Sequence, residues 1–117
     1  MKTLLTFFLS IFLSTNVFAH GMNMPGPHGG KIQMPANFHT ELVLNGKIFK
    51  VYLLDINFKE PMIADSDVAA NFEGKKVTCK ADKDGFVCPL DLTNKKGKLE
   101  IIARRNKSLR VSAWYDL

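Results

Sequence analysis

From Phe38 onward the chain alternates apolar and polar residues in short runs separated by turn-forming residues. A period of two sends successive side chains to opposite faces, the signature of half-buried strands. "FHTELVL" and "KIFKVYLLD" flank Asn45-Gly46, a pair that favours the tight primed turn of a hairpin. "INFKEPMIADSD" (56–67) is a connector, in which Pro61 breaks any strand. "VAANF" puts Val68, Ala70 and Phe72 on one face, and Glu73-Gly74-Lys75 turns the chain into "KVTCKA". "DKDG" leads to "FVCPLDL", "TNKKG" to "KLEIIAR", and "RNK" to "SLRVSAWYDL". In that last run Leu109, Val111, Ala113 and Tyr115 share a face, and Trp114 and Tyr115 are expected in core and edge packing. No segment after the leader holds a helical period for three turns. The expected fold is all-β, a small Ig-like Greek-key sandwich of about seven strands.

The N-terminal third breaks this pattern twice. Lys2 followed by "LLTFFLSIFL" and then "VFA" (17–19) reads as a secretory signal with cleavage after Ala19. The apolar run is well short of the ~20 residues a spanning helix needs, so no stable membrane anchor is expected after cleavage. Residues 20–37 are rich in Gly, Pro, Met and His and show no period, which predicts a flexible arm. The expected organisation is therefore signal 1–19, arm 20–37 and sandwich 38–117, in a periplasmic or secreted protein. The formal charge of the 117-residue chain is +5, one unit of it from Lys2 in the leader. The lysines are scattered among acids with no interleaved aromatics, which argues against nucleic-acid binding.

Export implies an oxidising compartment, where two cysteines usually pair. With Asp82–Gly85 as a four-residue hairpin loop and Gly85 left-handed, Ala81 faces Phe86 and Cys79 faces Cys88. Opposed strand residues lie ~4.5–5.5 Å apart at Cα, within disulfide range. The alternative, a metal or redox pair, has the wrong spacing: C-x8-C is neither C-x-x-C nor a zinc pattern.

The chemistry-bearing residues concentrate in the arm and the first strand. All three histidines, His20, His28 and His39, fall here, with Met22, Met24 and Met34. Imidazole suits copper, zinc and nickel, while thioether sulfur selects Cu(I). No carboxylate lies between His20 and His39, and the set points to copper, as Cu(I) or Cu(II), ahead of other divalent metals. The expected ligands are His20, Met22, Met24, His28 and His39. Met34 is a further candidate, and Glu41 is expected as a hydrogen-bond acceptor that orients His39. Cleavage after Ala19 would give His20 a free α-amine of pKa near ~8, which a metal can deprotonate at neutral pH.

An N-terminal histidine chelating through its amine and ring resembles the histidine brace of CopC-type periplasmic copper carriers and copper-dependent polysaccharide monooxygenases. Those families take later ligands from far down the chain. Here no histidine follows His39, so a brace must close locally. A longer stretch, "PHGGKIQMPANFHTELVLNGKIFKVYLLD" (27–55), looks like the His-Gly-Gly … His-x-Glu-Leu-Val … Tyr-Leu-x-Asp segment of small periplasmic domains that accompany heavy-metal efflux systems. His28, Gly29, Gly30, His39 and Glu41 are the matching positions, and the resemblance implies metal handling on an Ig-like sandwich.

No nucleophile has a His/Asp setting and no phosphate-cradling loop is present, so an enzyme is not expected. The leading expectation is an exported copper-binding protein that buffers copper or delivers it to an efflux or assembly partner. The alternatives are a docking module without metal and, third, a brace-type copper oxidoreductase.

Overall fold

A computed structural model describes residues 25–117, and within them every regular element is a strand. The nine strands are β1 (Lys31–Gln33), β2 (His39–Asn45), β3 (Ile48–Leu54), β4 (Asp67–Phe72), β5 (Lys75–Thr78), β6 (Lys80–Asp82), β7 (Gly85–Cys88), β8 (Lys98–Arg104) and β9 (Val111–Asp116). They form two antiparallel sheets, in the orders β1-β2-β3-β7-β6 and β5-β4-β8-β9. The fold is an all-β sandwich.

Alternation builds the core. Val68, Ala70 and Phe72 of β4 and Leu99, Ile101 and Ala103 of β8 face Leu42, Phe49, Val51, Leu53 and Phe86 of the larger sheet. One polar contact crosses it. The Tyr115 hydroxyl donates to the Thr40 carbonyl at 3.0 Å and lies 2.6 Å from its Oγ1, tying β9 to β2. Burial drives the Tyr115 phenol pKa far above its usual value.

Local signals held where the contacts are local. The expected hairpin forms, with its turn one residue later than the Asn45-Gly46 pair: Asn45 stands opposite Ile48, so the turn residues are Gly46 and Lys47, with Gly46 at φ 65°. Ala81 faces Phe86, and Cys79 and Cys88 form a buried disulfide with Cα atoms 4.3 Å apart. The turn beside it is tighter than expected. Asp82 pairs with Gly85, and the left-handed residue is Lys83 at φ 60°, not Gly85.

Three elements depart from the sequence reading. Residues 31–33, placed in the arm by composition, form the edge strand β1. "KVTCKA" is two strands, because the chain leaves the smaller sheet at Thr78 and enters the larger at Lys80. Leu109 is 87 % exposed and Trp114 half exposed, so the last strand's inward face begins only after Leu109.

One feature of the larger sheet sets up the site. His39, Thr40, Glu41 and Leu42 are buried in succession, as are Val51, Tyr52, Leu53 and Leu54. A strand buried on both faces needs cover on each. The inner face has the smaller sheet; the outer face, carrying His39, Glu41, Tyr52 and Leu54, is covered by two loops.

Candidate functional site

The first covering loop is Pro25–Gly30. Pro25 pairs with Lys31, the Gly26 N–H donates to the Gly30 carbonyl at 2.8 Å, and the Gly29 N–H donates to Gly26 at 2.9 Å. The loop folds over Glu41, whose side chain is fully buried. Glu41 Oε2 accepts the backbone N–H groups of His28 (2.8 Å) and Gly30 (2.9 Å), and Oε1 lies 2.7 Å from His28 Nδ1. A buried carboxylate is tolerated only when its lone pairs find donors, and three converge here. The glycines are steric requirements of that clasp. A β-carbon on Gly26 would overlap the Glu41 carboxyl, and one on Gly30 would overlap the Leu42 carbonyl.

His28 is fixed from two directions. Its ring stacks on Tyr52 with centroids 3.7 Å apart and planes 2° from parallel. Tyr52 in turn occupies the space beside Gly85, where a β-carbon would stand 2.9 Å from two ring carbons. That is why position 85 is glycine, although its backbone is not left-handed. Burial, and then the charges of Asp84, Glu41 and Asp82, raise the Tyr52 pKa.

The second covering loop is Asp55–Lys59, and it holds His39. Asp55 Oδ1 accepts the N–H groups of Asn57 (2.8 Å) and Lys59 (2.9 Å), while the Asp55 N–H donates to the Lys59 carbonyl at 2.8 Å. The Asp55 carbonyl accepts Phe58 N–H at 3.0 Å and His39 Nδ1 at 3.1 Å. Phe58 sits at φ 63°, unusual for a bulky residue, and its ring stacks on His39 at 4.0 Å. Arg105 secures the following segment through the Leu53 and Glu60 carbonyls.

These bonds define both imidazoles chemically. A carboxylate and a backbone carbonyl only accept, so Nδ1 carries the proton in His28 and in His39. In the neutral ring that leaves Nε2 as a lone-pair donor, and neither Nε2 has a hydrogen-bond partner among the described residues. An acceptor behind Nδ1 is the arrangement that orients metal-ligating histidines.

The structure redistributes the roles expected from sequence. Glu41 orients His28, not His39; the acceptor behind His39 is the Asp55 carbonyl. The Pro25–Gly30 loop meets the carboxylate with two backbone donors and the His28 ring, which take up both its oxygens. Met34 is half exposed just past β1, at the position facing His39 when the β1–β2 register runs one residue further. His20, Met22 and Met24, with the expected signal and cleavage point, lie outside the described residues. Among the described residues no three of His, Cys, Asp and Glu converge on one point. Tyr52 and Asp55 entered the sequence reading only as the Tyr-Leu-x-Asp of the resemblance, with no role assigned, and Phe58 was not singled out. A further signal for Tyr52 was the apolar run of β3 continuing onto the face that its period assigns to solvent. No family model, curated protein or solved structure matches the chain.

Proposed function

We propose that this is an exported copper-binding domain that buffers copper or passes it to an efflux or assembly partner, with His28 and His39 as its fixed nitrogen ligands. The observation that carries the reading is the pair of histidines on one sheet face, each with Nδ1 held by an acceptor and Nε2 left free. A structural histidine needs no such one-sided arrangement, whereas a ligand needs its tautomer fixed. The methionines and His20 ahead of Pro25 add the soft sulfur and the chelating amine that favour copper over harder ions. Copper is cargo here, so a site short of full coordination within the rigid domain suits a carrier.

The test is a competition titration of the mature chain against chelators of Cu(II) and Cu(I), with the N-terminus determined by mass spectrometry. Retention of about one copper per chain, lost when His20, His28 and His39 are together replaced by Ala, is the expected result. No retention by the wild-type mature chain refutes the reading. Retention that persists in the triple variant refutes the ligand assignment.

A further inference from the structure

Four strands end the two sheets: β1 and β6 in the larger, β5 and β9 in the smaller. An unpaired strand edge is a template for another chain, and proteins blunt it with short length, lysine or proline. Three of these edges are blunted. β1 and β6 are three residues long with a lysine each, and β5 is four residues long with two. β9 has six residues and no lysine, proline or glycine, and no strand lies beyond it among the described residues. Trp114 on it is half exposed, and Leu109 just ahead of it is almost wholly so.

The last backbone pair fixes which groups this edge offers. The Leu117 N–H donates to the Gly97 carbonyl at 2.8 Å, and the Gly97 N–H donates back at 3.4 Å. Leu117 therefore turns its peptide groups toward β8, and by alternation so do Tyr115, Ala113 and Val111. Ser112, Trp114 and Asp116 turn theirs to the free side.

The edge is self-complementary in one register. A second copy can add to it about a two-fold axis normal to the sheet, which keeps the outer faces together. With the axis at Ala113, Ser112 faces Trp114, Arg110 faces Asp116 and Leu109 faces Leu117 of the second copy. Shifting the axis to Ser112 sets Arg110 opposite Trp114, and shifting it to Trp114 sets Asp116 opposite Ser112, so either loses the charge pairing. The charges favour the first register. Arg104 and Arg110 both donate to Asp67, which leaves that row one positive charge in excess. Asp116 of the second copy ends the same row.

We propose that β9 is a homodimer interface, in which two copies of this chain pair their β9 strands antiparallel about Ala113 and join the two smaller sheets into one. Trp114 of each copy then lies diagonal to the other at ~7–8 Å, within reach of an aromatic ring. His28 and His39 act from the larger sheet, so this interface does not depend on the copper reading.

The experiment is analytical ultracentrifugation of the mature chain from micromolar to millimolar concentration. Trp114 is the only tryptophan, so its emission should shift to the blue as the dimer fills. The Ser112, Trp114 and Asp116 amides should exchange more slowly at high concentration. Arg110→Glu and Asp116→Arg should each weaken dimerisation by roughly tenfold or more, because symmetry makes each change act at two facing pairs. The two together should return the affinity to near wild type. Within one chain the same reversals face Asp67 and Lys98, so a purely intrachain effect would add where an interface effect cancels. Leu109→Lys, at a position 87 % exposed, should weaken the dimer without disturbing the fold. A chain that stays monomeric throughout the range overturns the proposal. So does a dimer unmoved by Leu109→Lys and Arg110→Glu, or a double variant weaker than both single ones.

Discussion

Replacing Glu41 by Gln keeps the size of the buried side chain and removes its charge, which separates the clasp's two tasks. In the wild type one oxygen accepts two backbone N–H groups and the other accepts His28 Nδ1–H. Glutamine has one acceptor and one donor end. Its carbonyl must take the Oε2 position, because the His28 and Gly30 amides cannot change their polarity. The NH2 group then faces His28 Nδ1, where donor meets donor. The conflict is relieved only if the His28 proton moves to Nε2, leaving Nδ1 to accept. The loop stays closed, and the nitrogen aimed outward becomes a donor unable to ligate metal.

The magnitudes are set by the same three bonds. Hydrogen bonds to a charged group contribute about 1.5–3 kcal/mol each, neutral ones about 0.5–1.5. Downgrading three would cost several kcal/mol, partly offset because a buried charge no longer has to be desolvated. A net loss of about 1–3 kcal/mol in urea unfolding is expected for Glu41→Gln. Glu41→Ala should lose more, since it strands two buried N–H groups at ~1–3 kcal/mol apiece. Nitrogen-15 spectra of the imidazoles should report the tautomer change, and copper affinity should fall by roughly 10–100-fold if His28 Nε2 is a ligand. The reasoning is refuted if Glu41→Gln retains the wild-type His28 tautomer, or if the tautomer switches and copper affinity does not move.

Gly30→Ala would drive a methyl group into the Leu42 carbonyl and the Glu41 and Val43 side chains; it should destabilise by about 1–3 kcal/mol in urea melts, as overpacking does. Gly29→Ala meets no neighbouring atom but has φ 78°, so its smaller cost, about 1 kcal/mol, should come from backbone strain alone. Removing the disulfide with Cys79→Ala and Cys88→Ala should cost roughly 2.5–3 kcal/mol in the chain-entropy model, plus packing lost at two buried positions. Both tyrosines have folded-state pKa values raised above the ordinary phenol value, Tyr115 far more than Tyr52. Their contribution to stability is present below pH ~10 and is lost as pH rises through the folded values, because the unfolded chain then sheds the proton more readily. An absorbance titration at the phenolate band should show Tyr52 ionising late, and Tyr115 only with alkaline unfolding.

The parts of this protein legible in its sequence are those whose cause lies within a few residues. Asn45-Gly46 marks its hairpin to within one residue, and a two-residue turn in "DKDG" still leaves Cys79 facing Cys88, because loops of four and two residues centred on the same pair share one register. The strand β1 was not legible. "KIQ" is too short to show a period, and it exists because β2 supplies its partners from the far side of the loop 34–38. The split at Cys79 was hidden for a related reason. An extended run looks the same whether it stays in one sheet or crosses to the other, and only the position of Val68, whose carbonyl takes the Cys79 N–H, decides.

The site was half legible, and the missing half turns on what covers a strand. His39, Glu41 and Val43 alternate with Phe38, Thr40, Leu42 and Leu44, a pattern that reads as a wet outer face. Period two reports which side a residue takes, not whether that side meets water. Here the cover comes from a loop whose contacts with Glu41 are made 11 to 13 residues upstream of it, and from another beginning at Asp55. The sequence did carry a trace of the first loop. Gly26, Gly29 and Gly30 surround one histidine, and two of the three are needed because the Glu41 strand passes where a β-carbon would stand. Glycines crowded around a histidine, followed by a lone acid on the polar side of a strand, therefore mark a carboxylate turned inward to hold that histidine. The same geometry explains why the acid serves His28 rather than the nearer His39. Residues two apart on a strand stand side by side facing the same way, and neither can turn back to bond the other as well as a loop descending from above.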